Sequence, residues 1–181
     1  MLQITVPISP EGWDEVKQEF VEPREKILQL EHSLISISKW ESKWHKAFLS
    51  KNDKTEEEVF DYVKCMTLTP NVDPSIYDHL TADNVKQIKA YIDDPMSATI
   101  VPKGPEGKNN HEVVTSELIY YWMVSLTIPL ECQKWHLNRL LKLIEVCNYK
   151  NTPPKKRSKS EIMRSNAALN AARRRQSGSR G

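Results

Sequence analysis

The sequence predicts a mainly α protein of the α+β kind: a compact helical domain over residues 1–150 with a small N-terminal antiparallel β element, then a basic C-terminal helical arm over 151–181. Three observations carry this. Apolar residues alternate at period two only near the N-terminus, they recur at intervals of three and four from Ser33 onward, and the composition changes abruptly after Lys150.

The elements follow in order. Leu2, Ile4, Val6 and Ile8 share one face of a strand over 2–8, and Pro7, which has no N–H to donate, restricts that strand to an edge or an end. Ser9, Pro10, Glu11 and Gly12 supply a turn, and a second extended stretch over 19–31 returns to pair with the first. Ile37, Trp40, Trp44 and Phe48 then form one apolar stripe, predicting a helix from Ser33 to about Leu49 with Trp40 and Trp44 in the core. Thr55 caps a helix over 56–68 whose first-turn glutamates, Glu56, Glu57 and Glu58, complement the helix dipole in solvent. Val59, Phe60, Tyr62, Val63 and Met66 make its apolar side.

Asp73 and Pro74 open a short helix to Leu80, and Thr81 with Asn84 opens another to Asp93. Prolines and glycines over 94–110 mark a loop, with a short strand expected at 98–101. The most apolar segment, 113–126, reads as a central buried helix ended by Pro129, and 130–147 as one long amphipathic helix with Leu137, Leu140, Leu141, Ile144 and Cys147 or Val146 inward. Pro153 and Pro154 stiffen a hinge, and Ser158 with Glu161 matches a capping box for a last helix over 159–175. That helix has few apolar residues, so the arm is expected to stay partly disordered without a partner.

Charge defines the arm. The chain has 26 basic and 24 acidic residues, a net of +2; ten of the bases and one acid, Glu161, fall in 150–181, leaving 16 and 23 before them. The arm is therefore net +9 and the body net −7. Such asymmetry argues for contact with something acidic: a nucleic acid, an acidic protein surface or the body of the same chain. Lys155, Lys156, Arg157, Arg164, Arg173, Arg174 and Arg175 form the array, which would neutralise several phosphates. The arm has no aromatic residue to stack on bases, and an acidic body repels a duplex.

A mean hydropathy of −0.59 and the absence of any run near the ~20 apolar residues of a membrane span point to a soluble protein with no membrane partner. The N-terminus lacks an export signal, and Cys65, Cys132 and Cys147, odd in number and widely spaced, fit free thiols in a reducing compartment. No constellation carries catalysis. Cys132 and His136 have the spacing of two metal ligands on one helix but lack two companions, and Lys103, Gly104 and Lys108 do not make a phosphate-binding loop. No cofactor, metal or enzymatic activity is expected.

Three stretches together carry a resemblance: LQLEHSLISISKWESKWHKAFLS from Leu28, TSELIYYWMVSLTIPLECQKWHLNRLLKLIEVC from Thr115, and the tail PPKKRSKSEIMRSNAALNAARRR. In order and spacing they resemble a family of small tail-module proteins of long-tailed bacteriophages and prophages, similar to tail assembly chaperones encoded near the tape-measure gene. The resemblance implies a protein that binds the tape-measure protein and keeps it soluble until tail-tube subunits polymerise around it, with the tail-tube protein a further partner. It implies work in the bacterial host cytoplasm and absence from the mature virion. The candidate binding residues are Trp40, Trp44, Trp122 and Trp135 and the basic arm; a nucleic-acid-binding adaptor acting through the arm is the alternative.

Overall fold

The computed structural model describes residues 1–9, 12–14, 19–21, 24–51, 53–102, 113–152 and 158–178. It is mainly helical with a small N-terminal antiparallel sheet, and it divides into two compact units, Met1–Tyr149 and Lys150–Gly181.

In the first unit, β1 (Leu2–Ser9) pairs antiparallel with β4 (Arg24–Leu30), Leu2 facing Leu30 and Ile4 facing Leu28, while the shorter β2 (Gly12–Asp14) pairs with β3 (Glu19–Val21). The register slips between Pro7 and Ser9, where proline has no N–H for the ladder. Ile4, Val6, Leu28 and Leu30 point into the core, whereas Ile27 on the other face is exposed. The outer edge of β4 is covered: Leu68 N–H donates to Gln29 O at 2.8 Å, Glu31 N–H to Met66 O at 2.9 Å, and Gln29 N–H to Thr69 Oγ1 at 2.9 Å.

The helices are α1 (Leu34–Trp44), α2 (Glu56–Met66), a 3-10 turn (Pro74–His79), α3 (Ala82–Asp93), α4 (Ser116–Ser125), a second 3-10 turn (Leu130–Lys134) and α5 (Leu137–Asn151). Ser33, Thr55 and Thr81 each close a capping box at the start of α1, α2 and α3. The core joins Leu34, Ile37 and Trp40 of α1 to Ile119 and Met123 of α4 and Leu137, Leu140 and Ile144 of α5, with the sheet residues beneath.

Several expectations are corrected. The first helix stops at Trp44 instead of Leu49 because His45 takes a left-handed conformation (φ 51°), which turns the chain and swings Phe48 back onto Trp40 and Tyr62, at ring separations of 5.1 and 4.0 Å. Glu58 is not solvated but buried. Val59 and Phe60 are exposed, so they do not belong to the core side of α2. Residues 98–101 form no strand; Ile100 is 91% exposed and gains nothing from alternation without a partner strand. α4 is buried on one face only, through Ser116, Ile119 and Met123, with Tyr121 and Val124 in solvent.

The expected helix over 130–147 is two pieces, because Trp135 is extended and His136 is tied by its ring to the α3 carbonyl of Tyr91. Cys132 and His136 therefore do not share a helix face.

The second unit holds α6 (Lys159–Ser177), opened by the Ser158 and Glu161 capping box and followed by left-handed Gly178. None of its residues is buried. The proline hinge, Lys155, Lys156 and Arg157, and the residues 103–112, including Gly104, Lys108 and His111, lie outside the described residues.

Candidate functional site

Two features of the body bear on function: a polar framework that fixes α2, and an apolar furrow that this framework leaves open.

The framework begins at the last two turns of α1. Trp40 is 1% exposed, and its indole N–H donates to Glu58 O at 2.8 Å. One turn later, Trp44 N–H donates to Asp61 Oδ2 at 2.9 Å, and the two indole rings lie 6.3 Å apart. Lys43 pairs with Asp61, and Lys46 pairs with Glu58. Burial opposes ionisation of Asp61, but the Lys43 ammonium and the Trp44 N–H outweigh it and hold the carboxyl below its usual range. Lys46, with the Thr55 N–H, does the same for Glu58. Each buried carboxylate is thus both paired and hydrogen-bonded, the condition under which a buried charge is tolerated.

Deeper in, four rings meet. His32 and His136 lie 5.0 Å apart edge to face, His32 Nδ1 is 2.5 Å from Tyr62 Oη, and His136 Nε2 is 2.9 Å from Tyr91 O. A carbonyl only accepts, so Nε2 of His136 carries the hydrogen, and its Nδ1 accepts from Asn138 N–H at 3.3 Å. Burial, helped by the neighbouring His136 ring, pulls His32 down to about 4. Burial also raises the Tyr62 and Tyr91 phenols, and Tyr91 donates to Glu31 Oε1 at 2.8 Å. All four residues are buried and each side chain makes a hydrogen bond, which makes them a structural centre.

The furrow lies between α2 and α3 and encloses about 230 Å³. Tyr62, Val63 and Ile88 form its floor, being buried, and Leu80 and Ile92 its half-buried ends. The walls are Val59 and Phe60 on α2 and Val85 on α3, at 48%, 43% and 45% exposed. Among the described residues Lys89 is the one charged member of the lining. Neighbouring β-branched and aromatic side chains kept half in water on two adjacent helices form an apolar surface of the kind that marks interaction sites.

The predicted tryptophans do not form an exposed platform. Trp40 is in the core, Trp44 is half-buried beside it, Trp122 packs half-buried from α4, and Trp135 packs half-buried before α5 with the Arg139 guanidinium 4.3 Å above its ring. The arm residues Arg164, Arg173, Arg174 and Arg175 are all exposed on α6.

Sequence reasoning missed the furrow. Its signal was available: Val59 and Phe60 beside Tyr62, Val63 and Met66, and Val85 and Ile92 beside Ile88 and Tyr91, give α2 and α3 more apolar positions than one buried stripe uses.

Among the described residues no group of three His, Cys, Asp or Glu side chains is placed to hold a metal ion, and no helix is long and apolar enough to cross a membrane. Comparison with protein-family models, curated proteins and solved structures returned no match.

Proposed function

We propose that this chain is a non-enzymatic binding protein of the tail-assembly-chaperone type. It holds a phage tape-measure protein soluble in the bacterial host cytoplasm, releases it to tail-tube subunits, and stays out of the mature virion. The observation that carries this reading is the half-exposed apolar furrow of α2 and α3, supported by the resemblance of the three sequence stretches. A long helical client exposes apolar stripes that self-associate, and a furrow between two helices accepts one side of such a helix. The exposed helix α6, basic and without a buried residue, supplies a second contact that gains order on binding.

Co-expression tests the reading. The tape-measure protein should be soluble with the wild-type chain and insoluble alone or with the Val59→Asp variant. Equal solubility in all three cultures overturns the proposal.

One feature favours a second reading, in which α6 binds nucleic acid: Arg164, Arg173, Arg174 and Arg175 all stand in solvent with Glu161 as the helix's one acid. Retention on nucleic acid that falls steeply with salt, is lost on removing residues 153–181, and leaves client solubility unchanged would select it.

A further inference from the structure

We infer that the α2–α3 furrow selects its occupant: an amphipathic helix that sets adjacent apolar side chains between Phe60 and Val85 and presents a carboxylate to Lys89. This rests on the binding reading above and adds the chemistry of the bound helix.

Size argues first. At about 230 Å³ the furrow is smaller than the ~300–1,000 Å³ of pockets that enclose cofactors and drug-sized ligands, and it is open to solvent along walls that are nearly half exposed. It is suited to knobs on a helix, whose side chains at i, i+3 or i+4, and i+7 project as one row.

Charge argues next. Val85, Ile88, Lys89 and Ile92 fall on one face of α3 by their spacing, with the buried Ile88 on its core side and the exposed Lys89 on its solvent side, so Lys89 stands at the rim of an apolar row. Its side chain enters no ion pair among the described residues. An ammonium at the rim of an apolar surface attracts a carboxylate that a bound helix brings beside it, and it penalises a basic side chain brought to the same place. Lys86, exposed on α3 outside the lining, provides an internal control of the same charge.

The test uses the full chain and two synthetic helical peptides with the same leucine row, one bearing Glu and the other Lys at the flanking position. The Glu peptide should bind the wild-type chain about two- to five-fold more tightly than the Lys peptide, the strength of a partly exposed ion pair. Lys89→Glu should reverse the order, Lys86→Glu should keep it, and Val59→Asp should weaken both peptides at least tenfold. Equal binding of the two peptides to the wild type, an equal effect of the two lysine variants, or unchanged binding to Val59→Asp overturns the inference. The co-expression experiment is separate: a tape measure indifferent to this protein sinks the functional reading, while the peptide order alone decides the selectivity of the furrow.

Discussion

Glu41 on α1 accepts the backbone N–H of Ser116, the first residue of α4, at 2.7 Å through Oε2, while its Oε1 accepts Phe48 N–H at 2.8 Å. One buried carboxylate therefore holds the turn after α1 and meets the positive end of α4. Glu41→Ala leaves two amide donors without this acceptor and should cost about 2–4 kcal/mol. Urea unfolding measures this, with Glu41→Gln expected to lose less because its amide oxygen still accepts. Wild-type stability in Glu41→Ala would show that the turn and α4 hold without it.

Trp40 has two separable contributions. Trp40→Phe keeps much of the ring packing but leaves Glu58 O without the indole donor, for an expected loss of about 1–2 kcal/mol, whereas Trp40→Ala should lose about 3–5 kcal/mol or more. Equal losses for the two variants would mean that the hydrogen bond, not the packing, dominates.

Acid should loosen the body through His32. Its folded pKa of about 4 is below the unfolded 6.5, so the unfolded chain binds the extra proton between these values and stability falls as pH drops through that window. The full effect is about 3 kcal/mol, complete below pH 4. Asp61, held below its ordinary value, acts lower: its contribution is present above its unfolded value and is lost as pH falls through its folded one. Thermal unfolding from pH 7 to pH 4 should show the decline in the wild type and a flatter profile in His32→Asn. Identical slopes would remove His32 as the cause.

The furrow should be dispensable for folding. Val59 and Phe60 are nearly half exposed, so Val59→Asp and Phe60→Ser should change stability by no more than about 1 kcal/mol while abolishing client solubilisation. Calorimetry alongside the co-expression assay checks both; a collapse in Tm would place these residues in the core instead.

The arm should exchange quickly. α6 buries no residue, and an isolated helix of this composition is marginal in water, so its amide hydrogens should exchange far faster than those of α5 around Leu140 and Ile144. Equal protection in the two helices would contradict this.

The elements with local signals were legible. Alternation marked β1, and the Thr55 cap, the Thr81 and Asn84 pair and the Ser158 box marked where α2, α3 and α6 start. What was illegible depended on contacts between distant residues. Nothing local says that His45 turns left-handed; the Glu41 bond to Phe48 N–H stabilises that turn. The break before α5 comes from His136 reaching Tyr91 O, a partner 45 residues away. Glu58 looked like a solvated first-turn acid because its pairing with Lys46 is tertiary. Trp40 and Trp44, expected in the core, lie in it and half-buried against it, while the furrow escaped because its walls carry the same residue types as a core.

The covered outer edge of β4 has a consequence for solubility. A two-stranded sheet normally offers unpaired amides on both sides, and such edges recruit strands from other molecules into aggregates. Here Leu68, Thr69 and Met66 occupy the β4 side near Gln29 and Glu31, and Asn84 donates to Thr5 O on β1 at 3.1 Å. Where it is capped in this way, the sheet gives an extended, sticky neighbour no template on which to grow, leaving adhesion to side chains and sparing the backbone.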